Sequence, residues 1–176
     1  MIQTEQSVLV DADIDSAWHY AKNIPKWASI MPGYQECEII DDDNSRWILK
    51  VGVGAMVRTV TVDVHVDEWA GPERVDFHVK LQGDPVEGGG SYLAAPAGPG
   101  KTNLTLKVHV KGSGPMAPMW EAMGAPVLSK FAKSFAEELR DMIEASVVGG
   151  QPTKARARRS WFEQLLDWLR RKFRFA

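Results

Sequence analysis

The sequence predicts an α+β fold in which a curved antiparallel sheet wraps one long C-terminal helix, leaving an apolar cavity between them. Three observations carry this. First, Pro115 to Val148 spaces its apolar residues by three and four (Met116, Met119, Trp120, Met123, Val127, Leu128, Phe131, Phe135, Leu139, Met142, Ile143, Val147), one broad stripe on a helix. Second, the preceding hundred or so residues alternate apolar and polar in several runs, the pattern of antiparallel strands with one wet face. Third, Met116, Met119 and Met123 crowd beside Trp120 at the helix start, and flexible thioethers suit irregular or ligand-bearing surroundings.

The elements follow in order. Gln6 to Val10 reads as a first strand. Asp11, Asp13 or Asp15 can cap a helix carrying Ile14, Ala17, Trp18 and Ala21. Asn23-Ile24-Pro25 restarts the chain, Lys26 to Ile30 forms a second helical turn, and Met31-Pro32-Gly33 closes it. Strands are then predicted at Tyr34–Ile40, Ser45–Val53, Met56–Trp69, Arg74–Leu81, Val86–Ala95 and Lys101–Lys111. Their inward sets include Trp47, Leu49 and Val51, then Val60, Val62, Val64 and Val66, then Val75, Phe77, Val79 and Leu81, then Leu104, Leu106, Val108 and Val110. Gly88-Gly89-Gly90 suits a bulge or a sharp bend. Gly124 and Pro126 predict a kink in the long helix or a separate first turn, and Gly149-Gly150 end it.

Composition sets the bounds. A chain of 176 residues with 44% apolar and 25% charged side chains is an ordinary globular composition. The single cysteine, Cys37, excludes an internal disulfide and fits a reducing compartment; a buried structural thiol is the expectation. Neither a signal peptide nor a membrane span is predicted. The net charge of −2 conceals an asymmetry: 151–176 carries eight basic and two acidic residues. Such a tail calls for an anionic partner.

Several strings resemble the START/Bet v 1-like helix-grip superfamily (SRPBCC), and within it the CoxG family, associated with carbon monoxide dehydrogenase. They are the Trp18 helix, Met31-Pro32-Gly33 before an acidic strand, Val51-Gly52-Val53-Gly54, the glycines at 88–90, and Lys111-Gly112-Ser113-Gly114-Pro115 opening the last helix. The resemblance spans about residues 1–148 and implies a domain that binds an apolar small molecule, without a fixed catalytic set. It further implies, for members with a basic amphipathic tail, movement of a lipid or isoprenoid quinone between bilayer and partner enzyme.

The expected division is a ligand-binding domain at 1–148, a basic linker at 149–159 and an amphipathic membrane-binding helix at 160–176. On a helical wheel, Trp161, Phe162, Leu165, Leu166, Trp168, Leu169, Phe173 and Phe175 fill about half the circumference. Arg170, Arg171 and Arg174 lie opposite, and Lys172 sits at the edge, where it can snorkel. This composition suits an anionic membrane surface, each basic residue contributing roughly 1 kcal/mol. Docking on a partner protein or on its own domain are the alternatives. Nucleic acid is disfavoured, because phosphate binding needs charge and not a large apolar face.

The residues assigned to the cavity lining are Trp27, Met31, Trp47, Met56, Arg58, Phe77, Leu81 and Tyr92, with Met116, Met119, Trp120, Met123, Val127 and Phe131 from the helix. Arg58 shares the parity of Val60 and is predicted inward, paired with an acid such as Glu87 or touching a ligand oxygen. His65, His78 and His109 are predicted on the wet face, His65 opposite His78; a wet sheet face is the ordinary reading of that pair and a metal site the alternative. His19 is read as a helix-surface residue. No catalytic residue, metal or covalent cofactor is assigned.

The expected function is therefore a non-enzymatic binding protein for an apolar lipid-like ligand. An isoprenoid quinone such as menaquinone is favoured, transferred to an oxidoreductase such as a carbon monoxide dehydrogenase. The expected location is the cytoplasmic face of the cell membrane. A polyketide-cyclase-like enzyme and an assembly factor are the alternatives.

Overall fold

The structure is a computed structural model that describes residues 1–53 and 55–149, the side chains of Val53, Met56 and Met123 excepted. Its elements run β1 (Ile2–Val10), α1 (Ile14–Ala21), α2 (Ile24–Ser29), β2 (Tyr34–Ile39), β3 (Asn44–Val53), β4 (Met56–Ala70), β5 (Arg74–Leu81), β6 (Val86–Pro96), β7 (Thr102–Gly112) and α3 (Ala117–Val147). Among the described residues, seven antiparallel strands form one sheet in the order β1-β7-β6-β5-β4-β3-β2. The long helix α3 packs along β1 and β7 and reaches β3 on the far side of the curl. This is the helix-grip architecture, in which a residue's place between that helix and the sheet decides whether it faces the core.

Local chemistry explains the element starts. Asp13 caps α1, its Oδ1 accepting the Ser16 N–H at 2.7 Å, and these hydrogen bonds hold its carboxyl below the usual carboxylate range. Asn23 caps α2 in the same way through the Lys26 N–H at 3.1 Å, with Pro25 in the first turn. The second helix thus begins at Ile24, earlier than the apolar pattern suggests. β1 also begins earlier, at Ile2, because its whole length pairs with β7, from Ile2 opposite Val110 to Val10 opposite Thr102. Its inward positions include Thr4 and Gln6, which weaken the sequence signal. Pro126 lies inside α3, which continues through it as one helix, so no separate first turn exists.

The β4–β5 hairpin closes on Ala70 opposite Arg74, one residue later than the turn alone implies. A bulge between Val66 and Glu68 then restores the register, so His65 does face His78 and Asp63 faces Lys80. The bulge also changes which parity faces inward, so that Trp69 packs toward the core and meets Trp18 edge-on at 6.2 Å. The Trp18 ring lies flat against Gly71, where a Cβ would stand 2.0 Å from its Cζ2. That contact seats α1 on the hairpin.

The three glycines of β6 carry no bulge, Gly88, Gly89 and Gly90 pairing in sequence with Val79, His78 and Phe77. A Cβ at Gly90 would lie 2.1 Å from the Lys107 carbonyl oxygen and 3.0 Å from Phe77 Cζ. The backbone of β7 cannot retreat without breaking the ladder. Gly90→Ala is therefore expected to cost more than about 2 kcal/mol of unfolding free energy in urea denaturation. A loss below about 0.5 kcal/mol would show that the close passage does not depend on the missing side chain.

Candidate functional site: an apolar void under the long helix

A void of about 310 Å³ lies between the sheet and α3, with an almost wholly apolar lining. The sheet supplies Trp47, Leu49 and Val51 from β3, Val60, Val62, Val64 and Val66 from β4, and Phe77, Val79 and Leu81 from β5. Leu106, Val108 and Val110 of β7 complete the floor. Trp120, Gly124, Val127, Leu128, Phe131, Ala132 and Phe135 of α3 form the roof, spaced by three and four along one face. Ile24, Trp27 and Met31 form a side wall. Gly89 and His109 also border the void, although both positions alternate with inward ones. They reach it through strand backbone that the β6 glycines leave bare.

Exposure of the inward side chains rises along β3, β5 and β7 toward one end. Trp47, Leu49, Val60, Val62 and Leu106 are buried, whereas Val51, Val79, Leu81, Val86, Val108 and Val110 are half-buried. The void therefore opens where the β3–β4 and β5–β6 connections meet the start of α3. At the opposite end Val10, Val75, Tyr92, Leu139 and Ile143 pack as a solid core with Ala17 and Tyr20 of α1. An unfilled apolar void forgoes up to about 24 cal/mol per Å³, so this one forgoes at most roughly 7 kcal/mol. That is comparable to the whole stability of a domain.

Of the residues assigned to the lining from sequence, Trp27, Met31, Trp47, Phe77, Leu81, Trp120, Val127 and Phe131 border the void. Tyr92 does not: it is 2% exposed and packs behind, its ring 6.1 Å from that of Trp27. Arg58 keeps the inward register, opposite Val51, but stands at the rim and outside the lining. It is half exposed and makes a two-pronged ion pair with Asp84 in the β5–β6 turn (Nη1–Oδ1 3.1 Å, Nη2–Oδ2 2.7 Å), and Glu87 is not its partner. Met116 and Met119 are exposed and stand outside the lining. The side chains of Met56 and Met123 lie outside the described residues, as do the linker from 150 onward and the membrane-contact set from Trp161 to Arg174. Leu49, Val60, Val62, Val64, Leu106 and Phe135 were legible only as inward; alternation does not separate a cavity wall from a packed core.

Few polar groups approach the void. Glu121 borders it, and its carboxylate is held below the usual range by a 2.6 Å hydrogen-bonded ion pair with the Met1 amine. Burial pushes the hydroxyls of Tyr92 and Tyr20 up, the latter to about 12 with help from Glu138, so both stay protonated at neutral pH. On the outer face the His65 and His78 rings lie 4.9 Å apart. Asn44 Oδ1 is 2.8 Å from His65 Nδ1, and Asp67 Oδ1 is 2.7 Å from His78 Nδ1. Among the described residues no group of three His, Cys, Asp or Glu side chains is placed to hold a metal ion. Cys37 is half-buried against the core, not sealed within it, and burial pushes its thiol up.

A long helix gripped by a curved antiparallel sheet defines a helix-grip domain, here with an apolar void beneath the helix. The chain belongs to the family described as polyketide cyclase/dehydrase and lipid transport, whose model matches residues 1–144. Solved structures share the fold. A conserved protein from Geobacillus kaustophilus superposes with a TM-score of 0.72 at 18% identity, covering 82% of this chain and 97% of its own. A START superfamily protein from Mycobacterium smegmatis gives 0.61 at 14% identity, covering 80% and 98%. The Zhui aromatase/cyclase from Streptomyces sp. R1128 gives 0.59 at 19%, covering 85% and 98%. No curated protein matches the sequence.

Two outcomes test this geometry. Val62→Phe places a larger ring into existing space, so its thermal unfolding should show a change within about 1 kcal/mol, not the 1–3 kcal/mol loss usual for overpacking. A loss above about 3 kcal/mol would mean that the space is not there. Arg58→Ala should cost no more than about 1 kcal/mol, because the pair is half exposed. A larger loss in the same assay would show that the ion pair holds the β5–β6 turn against the sheet.

Proposed function

We propose that this protein is a non-enzymatic carrier of an apolar, lipid-like molecule. The observation that carries the reading is the void itself: almost wholly apolar and open at one end, with His109, at a position that alternates with inward ones, and Glu121, engaged by the Met1 amine, as the ionisable residues bordering it among the described residues. General acid–base chemistry needs ionisable groups that converge on a substrate. The lipid-transport activity named in the family description supports the same reading.

An isoprenoid quinone is the ligand class that fits best. A volume of about 310 Å³ is at the small end of ligand pockets, which run from roughly 300 to 1,000 Å³. It holds a ring system and the first isoprenoid units, and the remaining tail leaves through the open end. Gly124 and Pro126 weaken the roof helix beside that opening, where the chain must give way for entry. The amphipathic sequence 160–176 would hold the protein at the cytoplasmic face of an anionic membrane. No helix among the described residues is long and apolar enough to cross one. The recipient would be an oxidoreductase such as a carbon monoxide dehydrogenase.

Removal of 160–176 should weaken co-sedimentation with vesicles of mixed neutral and anionic phospholipid by at least about tenfold, since several basic residues at roughly 1 kcal/mol each are lost with the apolar face. Undiminished binding would overturn the anchor. Native mass spectrometry of protein purified from its own membranes should show a stoichiometric quinone. A protein that emerges empty, and stays empty when quinone is added, would overturn the carrier reading.

A further inference from the structure

Two polar side-chain atoms are buried without a hydrogen-bond partner among the described residues, Trp27 Nε1 and Tyr92 Oη. They belong to neighbouring rings, 6.1 Å apart and tilted by 37°. Trp27 borders the void and also meets Phe77, another wall residue, edge-on at 6.1 Å. Elsewhere the fold takes care of such atoms. Trp47 Nε1 donates to Ser45 Oγ at 2.9 Å, and Trp69 Nε1 donates to Asp43 Oδ1 at 2.8 Å. The Thr102 hydroxyl, fully buried, donates to the Ala12 carbonyl at 2.8 Å. An unpaired buried donor forfeits the water bonds it had when unfolded, and native folds keep few of them. Here the two exceptions sit on adjacent rings, that of Trp27 in the wall of an otherwise apolar void and that of Tyr92 packed behind it.

The chemistry of the pair is restrictive. An indole N–H is a donor only, and a phenol O–H donates readily. What satisfies either of them is an acceptor, which a carbonyl oxygen supplies. Neither donor is accessible in the empty protein, so the acceptor reaches them by pressing into the Trp27 wall. From this we infer that Trp27 and Tyr92 form a recognition site for a ligand carbonyl oxygen, so that the ligand enters ring-first with its carbonyl at the inner wall and its apolar tail toward the opening at Trp120. This rests on the carrier reading and adds to it the polar group that the ligand must possess and the direction in which it lies.

The test compares 2,3-dimethyl-1,4-naphthoquinone with 2,3-dimethylnaphthalene, which has the same skeleton without the carbonyls. Full-length wild-type, Trp27→Phe and Tyr92→Phe proteins are titrated with each by equilibrium dialysis. The quantity read is the ratio of the two Kd values, which cancels general effects on the cavity. A neutral hydrogen bond of ordinary strength changes that ratio by about two- to tenfold, so each variant should shift it by that factor toward the hydrocarbon. An unchanged ratio in both variants overturns the inference while leaving the carrier reading intact. If neither probe binds the wild-type protein, the carrier reading falls with it. Thermal unfolding without ligand gives a second check: Tyr92→Phe removes an unpaired hydroxyl and should leave the melting temperature unchanged or higher. A clear decrease would show that the hydroxyl already has a partner, and would overturn the proposal.

Discussion

One helix cannot cover the concave face of seven strands. The long helix rests on β1 and β7 and reaches only β3 beyond them, so the strands between face it across a gap. Side chains of valine and leucine size do not close that gap. The β6 glycines let backbone pass closely at the sheet's centre, Gly90 against the Lys107 carbonyl, where no side chain fits.

The two ends of the molecule divide the work. One is a solid core in which Val10, Val75, Tyr92 and Ile143 are almost wholly buried against α1 and the last turns of α3. The other is open, with Met116, Met119 and Val57 exposed around it. The closed end supplies the stability that allows the open end to remain unfilled. Trp27 and Tyr92 sit at the junction, where a rigid aromatic wall meets empty space. Polar atoms are matched on either side of that junction and unmatched at it.

Much of the architecture was legible from periodicity, because alternation and the helical repeat are local properties of the chain. Every strand, both short helices and the long helix fall where the pattern puts them, with shifts of a few residues at caps and edges. The His65–His78 pairing followed from counting through a turn, but only because the bulge at Asp67 offset a hairpin that closes one residue later. Parity placed Arg58 on the inward face but not its depth. That residue stands opposite Val51 near the start of β4, where the side chain reaches the rim and pairs with Asp84 of the β5–β6 turn. The methionines at 116 and 119 misled for a related reason. They lie on the stripe, but the first turn of α3 meets the sheet through Ala117, against Gly112 of β7, and leaves both methionines exposed.

By itself, then, the sequence determined the order of elements, the sidedness of most strands and the amphipathic character of residues 160–176. Each of these is set by neighbours within a few positions along the chain. Only the tertiary structure decided which inward residues pack solidly and which border a void, where that void opens, which acid holds Arg58, and that Trp27 and Tyr92 are left without partners. These depend on depth along a twisted sheet and on atoms brought together from distant segments. Local periodicity, which repeats identically from one end of a strand to the other, carries no record of them.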